Sequence, residues 1–145
     1  MDEKVQVLFV EDDPNDEELT LIAFEKMGYS DQIKVAREGA EAINILLGDG
    51  SAKGKAFGTS IRLILLDLKL PKMDGLEVIE KIRNHNEIKS IPIVVLSSSS
   101  HESDVRRSYQ LGVNSYVVKP VDFDVYIETV QKLGEYWFAV NEWLS

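Results

Sequence analysis

Asp67 follows the most apolar run of the chain, Ile61-Arg62-Leu63-Ile64-Leu65-Leu66, and precedes Leu68-Lys69-Leu70-Pro71. A carboxylate at the end of a buried strand is held rigidly yet opens to water, the setting that a phosphate-accepting nucleophile needs. Other reactive side chains stand at comparable places. Glu11-Asp12-Asp13 follow the apolar run 5–10, Ser97 follows 91–96, and Lys119-Pro120 follow 116–118. In a doubly wound parallel sheet such residues gather beyond the carboxyl ends of the strands. Three carboxylates, a hydroxyl and an ammonium are therefore expected on one rim. Asp13, just ahead of Pro14, is read instead as a helix N-cap.

Crowded carboxylates raise one another's pKa, so ionised Glu11, Asp12 and Asp67 can coexist only around a cation. Oxygen donors, the absence of cysteine, and His85 and His101 placed elsewhere point to Mg²⁺ or Mn²⁺ rather than zinc. Asp12 and Asp67 are the expected direct ligands. Glu11 is expected to hold a metal-bound water, and the Lys69 carbonyl to fill a further position.

The elements that must place these groups are short apolar runs alternating with segments of helical period. The runs 5–10, 33–36, 61–66, 91–96 and 116–118 predict five strands. Three of them are nearly continuous in Val, Ile and Leu, as strands covered on both faces are, which predicts an α/β fold with a parallel sheet between helices. Asp74 with Glu77, and Ser99 with Glu102, have capping-box spacing. Apolar stripes such as Leu19, Ile22, Ala23 and Met27 are read as core-facing. The connection at 48–60 holds four glycines without strand or helix period and reads as a flexible loop.

Length and composition narrow the class. A chain of 145 residues fits one domain, 1–145. With 16 basic and 25 acidic residues the net charge of −9 argues against nucleic acid or an anionic membrane as partner. Without cysteine there is no disulfide or thiolate chemistry, and no apolar run approaches the roughly 20 residues of a membrane span. A soluble, cytoplasmic protein is expected.

An acidic pair after the first strand, an Asp after the third, a Ser after the fourth and a Lys-Pro after the fifth resemble the receiver domain of two-component response regulators. The likeness covers nearly the whole chain. It implies a flavodoxin-like (βα)5 fold with strand order 2-1-3-4-5 and helices on both faces. The Glu-Asp-Asp-Pro start, the loop before the third strand and the aromatic carboxyl end resemble single-domain regulators paired with phytochrome-type histidine kinases. By that resemblance Asp67 would accept a phosphoryl group from a kinase phosphohistidine, Glu11 and Asp12 would hold Mg²⁺, and Lys119 would pair with the phosphate. Ser97 would hydrogen-bond the phosphate, and Tyr116 would be an aromatic switch residue, its plainer role being a partly buried strand aromatic. The Lys119-Pro120 peptide would be cis. Output would pass through the fourth helix, fifth strand and fifth helix. Lys69 departs from the small or amide residue the likeness leads one to expect, and a cation there would pair with Glu11 or shield the acyl phosphate from water.

Kinase specificity would reside on the exposed part of the first helix, near Asn15, Glu18 and Phe24. After Val121 one helix is expected at about 122–143, with Tyr126, Val130, Leu133, Tyr136, Trp137 and Val140 at helical spacing and Phe123, Phe138 and Trp143 off that stripe. Phe123, Tyr126, Trp137 and Trp143 would form a homodimer interface, or the rings would cover the sheet edge. A phosphoaspartyl phosphatase would need a second Asp where Lys69 stands. A flavodoxin-like phosphate cradle would be repelled by Glu11-Asp12-Asp13, and a degenerate docking scaffold would not need Asp67, Ser97 and Lys119 intact.

Overall fold

The computed structural model describes residues 5–48, 56–58 and 60–142. Five strands, β1 (Val7–Val10), β2 (Ile33–Ala36), β3 (Leu63–Leu66), β4 (Ile93–Ser97) and β5 (Ser115–Val118), form one parallel sheet in the order β2-β1-β3-β4-β5. The expected class and order are both present. Strands β1, β3 and β4 start two residues later than their apolar runs do. Ile61 N bonds Phe57 O in a turn at 3.1 Å, and Pro92 has no N–H to give to a ladder.

Alternation explains the two cores. Leu8, Val10, Ile64, Leu66, Ile93 and Val95 point to one face, against α2 (Gly39–Leu47), α3 (Gly75–Arg83) and the end of α4 (Glu102–Leu111). Val7, Phe9, Leu63, Leu65, Val94 and Leu96 point to the other, against α1 (Pro14–Lys26) and α5 (Phe123–Glu135). Both faces of β1, β3 and β4 are thus dry, which is why these strands carry no polar residue before Ser97 at the end of β4. No helix of the described residues is long and apolar enough to cross a membrane.

Caps set the helix starts. The Asp13 carboxylate accepts Asn15 N at 2.8 Å and Asp16 N at 3.3 Å, and Asp74 accepts Glu77 N at 3.0 Å. Ser99 does not cap α4 as its spacing suggests. His101 is the cap residue, while the Ser99 hydroxyl donates to Asp104 Oδ2 at 2.5 Å.

The carboxyl-terminal segment departs from one regular helix. After Glu135 the chain makes a π-helical turn, Tyr136–Val140, closed by Asn141 N on Tyr136 O at 2.7 Å. The wider turn carries the apolar stripe out of phase. Phe138 packs inward, edge-on to Phe24 at 6.5 Å and against Tyr29 at 4.9 Å, while Tyr136 and Val140 are left 48% and 65% exposed. Two expectations fail here. Tyr126 is 1% exposed, its hydroxyl bonded to Thr20 Oγ1 at 2.9 Å, so it belongs to the α1/α5 core and not to a surface. Phe24 is likewise fully buried and cannot be read by a partner on α1. Trp143 and most of the 48–60 loop lie outside the described residues.

Candidate functional site at the carboxyl edge of the sheet

The sheet's hydrogen bonding runs one residue beyond the strands, and that residue is in each case a reactive one. Glu11 N bonds Ala36 O at 2.9 Å, Asp67 N bonds Val10 O at 3.0 Å, and Lys119 N bonds Ser97 O at 2.8 Å. Backbone and side chain are thereby fixed together. Gly75, the first residue of α3, seals the Asp67 turn: its N–H bonds Leu68 O at 2.8 Å, and a Cβ there would lie 2.6 Å from Asp67 O.

Lys119 is the hub. Its Nζ donates to Glu11 Oε1 at 2.7 Å, Asp16 Oδ2 at 2.7 Å and Asp67 Oδ2 at 2.9 Å, which uses all three ammonium protons. Glu11 Oε2 accepts Asp13 N at 3.2 Å, and Asp67 Oδ1 accepts Lys69 N at 3.3 Å. Three carboxylates share one positive charge. The shortfall appears at Glu11, which burial and the neighbouring Asp67 push up to about 8 despite its bond to Lys119. Burial alone would depress Lys119, but its bonds to Asp16 and Glu11 and the charges of Glu11 and Asp67 outweigh that and hold the ammonium charged.

Glu11, Asp67 and Lys119 therefore meet as the sequence predicts, and Asp16 joins them unforeseen. Asp16 was hidden because an acid in a first helical turn already has an ordinary reading, complementing the helix dipole. The available signal was direction, since helical side chains lean toward the amino end, here toward the rim. Asp12 is exposed at the same edge, and the exposed Lys69 does not pair with Glu11, whose oxygens go to Lys119 and Asp13 N. Ser97 is buried and accepts Ser99 N at 3.2 Å. Tyr116 is half-buried, and its hydroxyl donates to Ser99 O at 2.8 Å, tying β5 to the loop before α4. No cis peptide occurs among the described residues, so Lys119-Pro120 is trans, the form favoured by about 0.5–1 kcal/mol for an ordinary X-Pro bond.

Among the described residues no three His, Cys, Asp or Glu side chains are arranged as a metal-binding group. The donor chemistry nevertheless fits a hard divalent cation. Glu11 and Asp67 supply only oxygen, Asp12 stands free at the open side, and the site is short of positive charge.

The response regulator receiver domain model matches residues 7–131. Response regulator Rcp1 of Synechocystis is 34% identical over 131 residues, 90% of this chain and 87% of that protein. Its Mn²⁺-bound crystal structure superposes with a TM-score of 0.84, covering 97% of this chain and 99% of that one. The phosphorylated cyanobacterial phytochrome response regulator RcpA is 33% identical with a TM-score of 0.86, covering 97% and 99% of the two chains. The bacteriophytochrome response regulator RtBRR is 46% identical with a TM-score of 0.71, covering 97% and 84%. Phosphorylation on an aspartate is general to such domains, which are signalling modules supplied by histidine kinases. The chain belongs to the response regulator receiver domain family.

Proposed function

We propose that this chain is a single receiver domain, 1–145, that takes a phosphoryl group from a kinase phosphohistidine onto Asp67. The observation that carries the reading is the Lys119 ammonium, 2.9 Å from Asp67 Oδ2 and anchored by the buried Glu11. A transferring phosphoryl group needs in-line placement and charge neutralisation. Lys119 serves one phosphoryl oxygen, and the Ser97 hydroxyl serves another after letting go of Ser99 N. Glu11, Asp12, Asp67 and the Lys69 carbonyl are the groups that would hold Mg²⁺ or Mn²⁺, which neutralises phosphoryl oxygens when bound.

The output follows from the same loop. Ser97 accepts Ser99 N and Tyr116 donates to Ser99 O, so a shift of Ser97 toward phosphate reaches Tyr116 through one residue. The face beside it, on α4, β5 and α5, exposes Tyr109, Val118, Val121 and Phe123. A homodimer through α5 would use Phe123 with Tyr136, Val140 and the half-buried Trp137, to which the sequence adds Trp143. Sedimentation that finds only monomer at micromolar concentration, with and without phosphate, ends the dimer. The kinase is proposed to be phytochrome-type, as the names of RcpA and RtBRR suggest, and this protein to be cytoplasmic. The charge of −9 favours a protein partner over nucleic acid or membrane.

Acetyl phosphate with Mg²⁺, followed by intact mass, tests the central claim. One phosphate adduct that is absent in Asp67→Asn is the expected result. No adduct on the unaltered protein would leave only a docking scaffold.

A further inference from the structure

Lys119 has no proton to spare. All three are committed, to Glu11, Asp16 and Asp67, at 2.7, 2.7 and 2.9 Å. A phosphoryl oxygen that takes a hydrogen bond from this ammonium must therefore displace one of the three carboxylates. Their surroundings rank them. Glu11 is fully buried, and its other oxygen is held by Asp13 N. Asp67 carries the phosphoryl group itself and, with Oδ1 as the attacking oxygen, keeps Oδ2 on Lys119. The Asp16 side chain is 23% exposed, sits on the first turn of α1, and has no hydrogen bond other than the one to Lys119 among the described residues. Moving into water costs Asp16 least.

We propose, on the reading of Asp67 as phosphoacceptor, that Asp16 is a displaceable placeholder: it occupies the third proton of Lys119 in the unphosphorylated protein and yields it to a phosphoryl oxygen. It is a positioning residue that acts through Lys119. The exchange also relieves repulsion, because the acyl phosphate carries about 1.5–2 negative charges where the Asp67 carboxylate carried one, on a rim already short of positive charge. While Asp16 stays, it keeps Lys119 aimed and the site shut to weak anions. When it leaves, its carboxylate joins Asn15 and Glu18 on the exposed turn of α1, so the charge that helix presents changes with the state of Asp67.

The test compares adduct formation from acetyl phosphate and Mg²⁺ in the unaltered protein, Asp16→Asn and Asp16→Ala, by intact mass over time. Both variants should phosphorylate about fivefold faster, the rate equivalent of one partly exposed ion pair. The gain should persist at high salt, where a merely long-range charge effect is screened away. Equal or slower rates, or a gain that salt abolishes, overturn the placeholder. Should both variants misfold, the crystal structure of the phosphorylated unaltered protein decides. Separation of Asp16 from Lys119 beyond 4 Å supports the exchange, and a surviving contact near the present 2.7 Å refutes it. Failure of the unaltered protein to form any adduct is a separate outcome, which removes the phosphoacceptor reading and this inference with it.

Discussion

The two ends of the sheet each hold one cation, buried Lys119 at one and half-buried Arg83 at the other, and treat it in opposite ways. At the carboxyl edge Lys119 faces three carboxylates. At the amino edge Arg83, the last residue of α3, faces only neutral oxygens: Nε donates to Gly112 O at 2.9 Å, one terminal nitrogen to Lys89 O at 2.9 Å and Ile91 O at 2.7 Å, and the other to Asn114 Oδ1 at 3.1 Å. Asn114 Oδ1 also accepts Ile93 N at 2.9 Å. Four of its five N–H donors go to fixed dipoles, which bind the loops before β4 and β5 to α3. Burial lowers its pKa without any acid beside it. The difference separates a cation used to close a fold from one whose partners are negotiable, and only the second can exchange a carboxylate for a phosphate.

The largest test of that contrast is pH. Without metal, Glu11 is raised in the folded protein from 4.5 to about 8. Its protonated form is favoured by folding, so this contribution is complete below pH 4.5, shrinks as pH rises, and is gone above about 8. Relative to Glu11→Gln, the metal-free protein should lose about 2–4 kcal/mol between those limits in urea melts. Added Mg²⁺ should flatten the difference. A parallel pair of pH profiles would mean that the carboxyl edge is as balanced as the amino edge.

Next in size is the amino edge itself. Arg83→Met removes a charged donor from four acceptors, two of them loop carbonyls beside β4, and should cost about 2–3 kcal/mol with an unchanged denaturant slope. The rate of phosphorylation by acetyl phosphate, measured well below the melting temperature, should not move. A slowed rate would join the two edges and break the comparison.

How much of this could be read beforehand differs between the edges in the same way. Glu11, Asp67 and Lys119 were visible because each directly follows an apolar strand run, and a parallel sheet leaves such residues one place to go. Strand order came from family likeness, since periodicity carries no information about neighbours. Asp16 and Arg83 escaped for one reason: both lie on helices, where a charged residue near a terminus is already explained locally, and their partners are distant in sequence. The π-helical turn was equally hidden, because Tyr136-Trp137-Phe138-Ala139-Val140 contains no Gly or Pro to mark a break. That one added residue in the turn moved Phe138 inside and Tyr136 and Val140 out, against the regular stripe. Ser99 lost its expected cap role to its bond with Asp104.

The smallest effect is the sharpest discriminator. Asn114→Asp gives Arg83 a carboxylate in place of an amide oxygen, making the amino edge resemble the carboxyl edge by one charge. Because the guanidinium already donates four hydrogen bonds and is only half-buried, the gain should stay within about 1 kcal/mol. The Ile93 N–H keeps its acceptor, so the ladder start is preserved. The added charge should raise stability slightly at low salt and not at high salt, and should leave no anion or metal binding detectable by calorimetry. A gain of several kcal/mol would show that Arg83 had been waiting for a counter-ion, and that the neutral cage is a deficit and not a design for closure.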